Sequence, residues 1–295
     1  MGPPWTLLGA PLDSSGAGRG EQRAPAALRA AGLPDRLGLR DAGNACGPLR
    51  DPRRDPGSGV IAAAQLAGES RALRDAVAAT LARGERPFVL GGDCSLMPGA
   101  LAGVRAHGGP LRLWMVDGHP DALDGATSPT GEAADMGLAV VCGRGAPALT
   151  GLPGTVPIVA PADVALLGHR PASLAPEVAA ELALVPEAVA QVTAPALRRR
   201  GAAAVAGHVA RAGAGTPAWL HLDLDVLDGG VFEAVSYPQP EGLGLGELRD
   251  LLRPLLAAPE LVGVSLADLD AGHPRAGAYA ALAVELLASA WPPAR

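Results

Sequence analysis

Short apolar runs alternate along this chain with longer segments whose apolar residues recur at three- and four-residue spacing. The runs predict strands at residues 5–11, 86–90, 113–116, 155–159, 164–168, 219–224 and 261–266. The periodic segments predict helices at residues 24–31, 60–82, 175–184, 202–212, 243–256 and 277–290, and another that begins at Leu96. Because the strands are almost continuously apolar and alternate with helices, we expect an α/β fold whose mostly parallel sheet is covered on both faces. No repeat or convincing boundary interrupts the pattern, so residues 1–295 are predicted to form a single domain.

Carboxylates and an imidazole occupy every second position at the ends of two apolar runs. Asp117, His119 and Asp121 follow one run, and Asp223 and Asp225 end another. Alternate residues of an extended segment point to the same face, so each set is predicted to share a face. Ligands collect at the carboxyl ends of parallel strands. Buried carboxylates need a positive partner, and a divalent metal is the simplest one; solvated or helix-capping aspartates are the alternative.

Composition narrows the class of protein. The formal net charge is −6, and no basic stretch with interleaved aromatic residues occurs, which argues against a nucleic-acid-binding protein. The three cysteines, Cys46, Cys94 and Cys142, form no closely spaced pair, so we expect no disulfide framework and a reducing compartment. No apolar stretch reaches the length of a membrane span, and the N-terminus lacks the pattern of a secretory signal. We therefore expect a cytoplasmic protein that binds neither nucleic acid nor membranes.

Four stretches carry more specific motifs. Residues 91–95 read Gly-Gly-Asp-Cys-Ser, residues 117–121 read Asp-Gly-His-Pro-Asp, and residues 221–228 read His-Leu-Asp-Leu-Asp-Val-Leu-Asp. The fourth pattern consists of Gly9, Ala10, Pro11, Gly20, Pro25, Leu28, Arg29, Gly32 and Leu33. Together they resemble the arginase/agmatinase/formiminoglutamase family, the ureohydrolases. That family has a similar amino-terminal pattern, then Gly-Gly-Asp-His-Ser, Asp-Ala-His-x-Asp and Ser-x-Asp-x-Asp-x-x-Asp, in this order along nearly the whole chain.

The resemblance implies a three-layer α/β/α fold and a site for two manganese ions. Carried over position by position, the ligands of the first ion are Cys94, Asp117, Asp121 and Asp223. Those of the second ion are His119, Asp117, Asp223 and Asp225. Asp117 and Asp223 would therefore bridge the two ions.

The resemblance also implies a reaction, the hydrolysis of a guanidino or N-hydroxyguanidino C–N bond in an arginine-like substrate, which releases urea or hydroxyurea. A hydroxide held between the ions attacks the guanidinium carbon, and Asp121 takes the proton from the tetrahedral intermediate. Asp268 falls at the family's substrate-holding Glu and is one methylene shorter. Because the family often forms trimers or hexamers, we expect a homo-oligomer whose partner is a small guanidino compound.

The chain departs from the family's pattern at several positions. Cys94 stands where the family has a ligand His; a thiolate binds metals but is softer than imidazole, which leaves open whether one site is weak or empty. Leu123 falls at an Asn that binds the substrate carboxylate, and Ala134 at a His that shuttles protons. Residues 168–173 resemble Gly-x-Arg-Asp-x-Asp without its two acids. Cys94, Asp-Gly-His-x-Asp and the missing shuttle His resemble most closely the N-hydroxyarginine hydrolase branch.

Several alternatives stay open. The departures also fit a catalytically impaired protein of this fold that binds a ligand or partner. A formimino or other amidino compound is an alternative substrate class. His221 shares a face with Asp223, which allows either a role beside the metal or a hydrogen-bonded role in the core. His273 and Arg275 follow the last strand and are either close to the substrate or structural.

Overall fold

Eight strands form one sheet in the computed structural model, which describes residues 3–152, 154 and 156–292. The strands are β1 (Trp5–Ala10), β2 (Arg40–Asn44), β3 (Arg86–Gly91), β4 (Arg112–Val116), β5 (Val164–Leu167), β6 (Ala190–Val192), β7 (Ala218–Asp223) and β8 (Leu261–Ala267). The helices are α1 (Ala24–Ala30), α2 (Leu33–Leu37), α3 (Ala63–Ala82), α4 (Met97–Arg105), α5 (Gly137–Val141), α6 (Pro147–Thr150), α7 (Pro176–Leu182), α8 (Ala194–Arg200), α9 (Ala202–Arg211), α10 (Leu245–Leu256) and α11 (Ala276–Ala290).

The strand order of the sheet is β2-β1-β3-β8-β7-β4-β5-β6, and all neighbouring strands pair in parallel. The last two strands of the chain therefore lie at the centre, between β3 and β4. Their register places His221 of β7 between Met115 of β4 and Ser265 of β8. The carboxyl ends of β3, β8, β7 and β4 consequently meet at one edge of the sheet, where loops can present polar side chains.

Helices cover both faces of the sheet, as the alternation along β7 shows. Leu220 and Leu222 are buried in one hydrophobic cluster with Val205 of α9 and Leu251 of α10. Trp219 points to the opposite face and is buried in a second cluster with residues of α3 and α4. Helices on each face therefore bury the apolar side chains of the sheet, and fully burying one large apolar side chain contributes about 1.5–3 kcal/mol. The predicted three-layer α/β/α fold with a parallel sheet is confirmed.

Three segments differ from the sequence prediction. β2 is exposed along its whole length and β6 has only three residues, so neither carries the apolar run that predicts a strand. The strand predicted at 155–159 is wrong for residues 156–159, which bury Ile158 and Val159 in an irregular segment. Pro157 has no N–H to donate to a strand ladder; Thr155 lies outside the described residues. Among the described helices, none has the length and apolar character that crossing a membrane requires.

Candidate metal centre

Four neighbouring strands deliver side chains to the same edge of the sheet. Cys94 follows β3, Asp117 follows β4, Asp223 is the last residue of β7, and Asp268 follows β8. Each of these residues is at most 5% exposed. Because the strands are adjacent in the sheet, residues that are far apart in the sequence converge in one buried cluster.

A tight turn fixes the position of Cys94. Asp93 caps the helical turn that follows it, and its carboxylate accepts a hydrogen bond from the backbone N–H of Ser95 (3.1 Å). A Cβ atom on Gly92 would lie 1.7 Å from the carbonyl oxygen of Leu12, so only glycine lets these two segments meet. The Gly-Gly-Asp motif is therefore structural, and it directs Cys94 into the cluster.

The chain leaves β4 in a turn rather than continuing as a strand. The backbone N–H of His119 donates to Asp117 Oδ1 (2.7 Å), and Asp121 adopts a left-handed conformation with φ +47°. The expectation that Asp117, His119 and Asp121 lie on one face of an extended segment is therefore wrong. The turn nevertheless brings Asp117 and His119 to the same side of the cluster.

Potential metal ligands form three overlapping groups, and within each group the ligand atoms lie within 4.8 Å of one another. The groups are Cys94–Asp117–His221–Asp223, Asp117–His119–Asp225 and Asp223–Asp225–Asp268. Asp117, Asp223 and Asp225 each belong to two groups, as the shared ligands of two neighbouring ions do. Asp121 belongs to none of them, but its Oδ2 atom is buried and has no hydrogen-bond partner among the described residues.

Burial and mutual repulsion oppose ionisation within this cluster. Burial first, and neighbouring carboxylates second, raise the pKa values of Asp117, Asp121, Asp223 and Asp268 well above the ordinary range. The same two causes raise the pKa of the Cys94 thiol. Added positive charge is therefore required to keep these groups ionised together, and divalent cations supply it.

Asp225 carries its own counter-charge. Burial raises the pKa of this carboxyl, but the charge and hydrogen bond of His119 and the charge of Arg170 bring it down to about 2. The Nδ1 atom of His119 lies 2.6 Å from Asp225 Oδ2. Burial also lowers the pKa of His119, yet Asp225 outweighs this effect and raises it above its usual value.

Arg170 is a buried structural cation that sequence reasoning did not identify. It is 1% exposed. Its guanidinium donates to the backbone carbonyl oxygens of Asp225 (2.6 Å), Leu227 (2.9 Å), Gln239 (2.9 Å) and Pro240 (3.2 Å). A Cβ atom on Gly118 would lie 1.9 Å from Arg170 Nη1, which explains the glycine between Asp117 and His119. Arg170 thus joins the segment after β7 to the turn after β4.

His221 lies inside the cluster. It is fully buried, its Nε2 atom lies 3.1 Å from Cys94 Sγ, and its Nδ1 atom lies 2.8 Å from Ser265 Oγ. Burial lowers its pKa to about 4, so the imidazole is neutral near pH 7. A signal for this contact was present in the motifs, because the chain has His221 where the family has Ser and Cys94 where the family has His.

Two more acids lie near Asp121. The carboxylate of half-buried Glu181 accepts a hydrogen bond from the backbone N–H of Ala122 (3.0 Å), and burial raises the pKa of Asp135 to about 6. The charges of Glu181 and Asp135 both raise the pKa of Asp121. The surroundings of the cluster are therefore acidic beyond the candidate ligands.

His273 and Arg275 have structural partners. Arg275 donates to Glu233 and to the hydroxyl of Tyr279 (2.8 Å), and the ring of His273 packs edge-on against Tyr279 with centroids 5.3 Å apart. These contacts support the structural interpretation of both residues.

The donor set fits divalent metal ions. Carboxylate and imidazole groups suit Mn²⁺, Mg²⁺ or Zn²⁺, and a thiolate adds a softer ligand. The unpartnered, buried oxygen of Asp121 and the mutual repulsion of the acids both indicate a missing positive charge. Fold and cluster together define an α/β/α protein with a candidate centre for two divalent ions at the strand ends. The Arginase family matches residues 4–291, and the chain belongs to this family.

Individual relatives agree with this assignment. The arginase of Bacillus caldovelox is 34% identical over 173 residues, which make up 57% of this chain. The chain spans only about 58% of the length of that curated relative in this alignment. A crystal structure of the native Bacillus caldovelox arginase superposes with a TM-score of 0.84 and 28% identity over 99% of both chains. Arginase from Bacillus cereus gives a TM-score of 0.86 and 26% identity, over 98% of this chain and 99% of that chain.

Proposed function

We propose that this protein hydrolyses a guanidino or N-hydroxyguanidino C–N bond in an arginine-like substrate and releases urea or hydroxyurea. One observation carries the proposal: the three ligand groups overlap through Asp117, Asp223 and Asp225, so the site can hold two ions close together. Membership of the arginase family and the acidic surroundings, which favour a cationic substrate, support it.

The metal ions are proposed to be Mn²⁺, held by Cys94, Asp117, His119, Asp121, Asp223 and Asp225. Bound divalent ions lower the pKa of water and thereby supply a nucleophile at neutral pH. The chain's own residues orient the substrate and move the proton. Oδ2 of Asp121, which has no hydrogen-bond partner among the described residues, is available to accept a proton beside the cluster.

Asp268 is proposed to bind the guanidinium group. Its Oδ1 accepts a hydrogen bond from the hydroxyl of Ser236 (2.7 Å), and its Oδ2 accepts one from the backbone N–H of Ser236 (3.2 Å). Ser236 therefore fixes the orientation of this carboxylate while leaving lone pairs for a cationic substrate. A charge-assisted hydrogen bond to a guanidinium is stronger than a neutral one, which suits Asp268 to this role.

A panel of substrates tests the reaction class. Purified protein loaded with Mn²⁺ is incubated with arginine, N-hydroxyarginine, agmatine, guanidino acids and formiminoglutamate, and urea, hydroxyurea and formamide are quantified. Turnover of a guanidino or N-hydroxyguanidino compound that disappears in Asp223→Ala but persists in the partly exposed control Asp250→Ala supports the proposal. Release of formamide alone would assign the formimino class instead.

A second candidate is a ligand- or partner-binding protein with impaired catalysis. Leu123 and Ala134 favour it, because neither side chain can bind a carboxylate or transfer a proton. Metal-loaded protein that binds a guanidino compound in calorimetry without turning it over would identify this alternative.

We further propose a cytoplasmic homo-oligomer that binds neither nucleic acid nor membranes. The three free cysteines and the net charge of −6 support the location and the absence of nucleic acid. Light scattering after size-exclusion chromatography measures the oligomeric state.

A further inference from the structure

A chain of four hydrogen-bond contacts runs through the core to the candidate metal centre. Trp219 Nε1 lies 2.9 Å from Ser265 Oγ, which lies 2.8 Å from His221 Nδ1. His221 Nε2 lies 3.1 Å from Cys94 Sγ, which lies 2.7 Å from Asp223 Oδ2. All five residues are at most 3% exposed, so water does not compete for these contacts.

The geometry of strands β7 and β8 holds this chain of hydrogen bonds in place. Trp219, His221 and Asp223 are alternate residues of β7 and therefore point to the same face of the sheet. The register pairs His221 with Ser265 on β8. A Cβ atom at position 263 of β8 would lie 2.1 Å from the Trp219 ring, so Gly263 makes room for the indole to reach Ser265.

Trp219, at one end of this chain of hydrogen bonds, sets the direction of all four of them. An indole N–H can only donate, so Ser265 Oγ accepts from Trp219. The hydroxyl proton of Ser265 is then free to donate to His221 Nδ1. A neutral imidazole that accepts at Nδ1 carries its proton on Nε2, and that N–H points at Cys94 Sγ. The thiol proton of Cys94, in turn, has Asp223 Oδ2 as its acceptor.

The opposite direction leaves groups unsatisfied. If His221 donated from Nδ1, Ser265 would accept two hydrogen bonds, and its own proton would have no acceptor among the described residues. A buried hydroxyl without an acceptor costs about 1–3 kcal/mol, so this arrangement is disfavoured.

We propose that His221 is a positioning residue that donates a hydrogen bond from Nε2 to the Cys94 sulphur and orients this sulphur toward the metal without binding the metal itself. The inference rests on the metal centre of the proposed function. It gives one physical role to both motif departures, because the cysteine and the histidine that differ from the family pattern touch each other. The N–H donor fixes the direction of a sulphur that also lies 2.7 Å from Asp223 Oδ2.

The tautomer of His221 can be measured without any metal. Protein labelled with ¹⁵N at histidine is examined by two-bond ¹H–¹⁵N correlation spectra, and the His221 signals are assigned by their loss in His221→Gln. We expect a protonated Nε2 and an unprotonated Nδ1. A protonated Nδ1 with a bare Nε2 would overturn the inference whatever the protein catalyses.

Cobalt provides the second test, because a thiolate ligand gives Co²⁺ a near-ultraviolet charge-transfer band. We expect the band in the native protein and in the control Cys142→Ser, and its loss in Cys94→Ser. His221→Leu removes the donor, so the band should move to lower energy and Co²⁺ affinity should fall by roughly 10–100-fold. His221→Gln keeps an N–H near the position of Nε2 and should restore most of the band energy and affinity.

The outcomes separate this inference from the proposed function. A thiolate band that His221→Leu leaves unmoved contradicts the inference and leaves the metal centre intact. A ligand-field spectrum that shows loss of a nitrogen ligand in both His221→Leu and His221→Gln means that His221 binds the metal, which also overturns it. Failure of the protein to bind Co²⁺ at all contradicts both the inference and the proposed metal centre.

Discussion

At the scale of single residues, Cys94 and His221 share a space that is closed to solvent. Replacing Cys94 by His puts two imidazoles where one thiol and one imidazole now fit. Such overpacking costs about 1–3 kcal/mol, so Cys94→His alone should lower the free energy of unfolding by this amount. Adding His221→Ser restores both the volume and the family motif, and the double variant should recover most of the loss.

Urea unfolding of the two single variants and the double variant completes a double-mutant cycle. Mn²⁺ titration of the same proteins should show tighter binding in the double variant than in Cys94→His. Additive stability changes would mean that the two side chains do not interact in the way that the 3.1 Å contact implies.

Asp268 offers a second test at a single side chain. Asp268→Asn keeps the size and most hydrogen bonds to Ser236 but removes the negative charge that is proposed to face the substrate. Hydrogen bonds to charged groups contribute about 1.5–3 kcal/mol, so kcat/KM should fall roughly 10–100-fold. Steady-state kinetics beside the control Asp250→Asn, which changes a partly exposed residue of α10, measure the effect. Unchanged kcat/KM would remove Asp268 from the substrate site.

The sequence predicted correctly which residues come together, but it predicted less well the backbone structure that brings them together. Alternation placed Asp117 and His119 together, but the structure does this with a turn, and the left-handed Asp121 shows that the strand had already ended. The alternation correctly put His221 and Asp223 on one face because β7 is a true strand there. The pairing of His221 with Cys94 depends on strand order, which sequence spacing does not encode.

At the scale of elements, Arg170 joins segments that no regular structure connects. Its contacts with four backbone carbonyl groups hold the segment from residue 225 to residue 240 against the turn after β5. Arg170→Met removes the side-chain donor from these carbonyl oxygens, two of which are buried, and leaves His119 as the remaining cation beside Asp225. We expect a loss of about 3 kcal/mol or more in the free energy of unfolding, together with weaker Mn²⁺ binding.

Denaturant unfolding and Mn²⁺ titration measure both effects, with the exposed Arg53→Met as the matched control. A variant with normal stability but weak metal binding would restrict the role of Arg170 to its charge. Normal values of both quantities would show that the observed hydrogen bonds contribute nothing.

Strands were predicted correctly where burial requires an apolar run in the sequence, and were missed where the strand is exposed. The central strands β7 and β4 are buried on both faces and appear as apolar runs. The edge strand β2 is fully exposed and polar, so only its pairing with β1 makes it a strand. Residues 156–159 show the converse, because apolar side chains can be buried from an irregular segment as well as from a strand.

At the scale of the whole molecule, the buried acids make stability depend on pH in the absence of metal. The pKa values of Asp117, Asp121, Asp223 and Asp268 are raised in the folded state, so above about pH 4 the folded chain binds more protons than the unfolded chain. Stability must then fall as the pH rises through and beyond this range. The raised pKa of His119 acts in the same direction.

Thermal unfolding of metal-free protein should accordingly show a higher Tm at about pH 5 than at about pH 8. Mn²⁺ at 100 times its Kd at pH 5 should add about 2.7 kcal/mol of stability, and the same Mn²⁺ concentration should add more at about pH 8, where protons compete less. The lowered pKa of Asp225 has the opposite pH dependence, because its contribution to stability is lost as the pH falls toward about 2. A Tm of the metal-free protein that rises steadily from pH 5 to pH 8 would contradict this description of the cluster.

Metal stoichiometry tests the central claim most directly, because acids from separate strands can hold two ions only if they converge as described. Purified protein is saturated with Mn²⁺, freed of excess metal and analysed by mass spectrometry of the metal, beside Asp223→Ala and the control Asp250→Ala. We expect two ions per chain in the native protein and the control, and at most one in Asp223→Ala, which lacks a shared ligand. Native protein that retains no metal, or Asp223→Ala that retains two ions, would contradict a centre built from these strand ends.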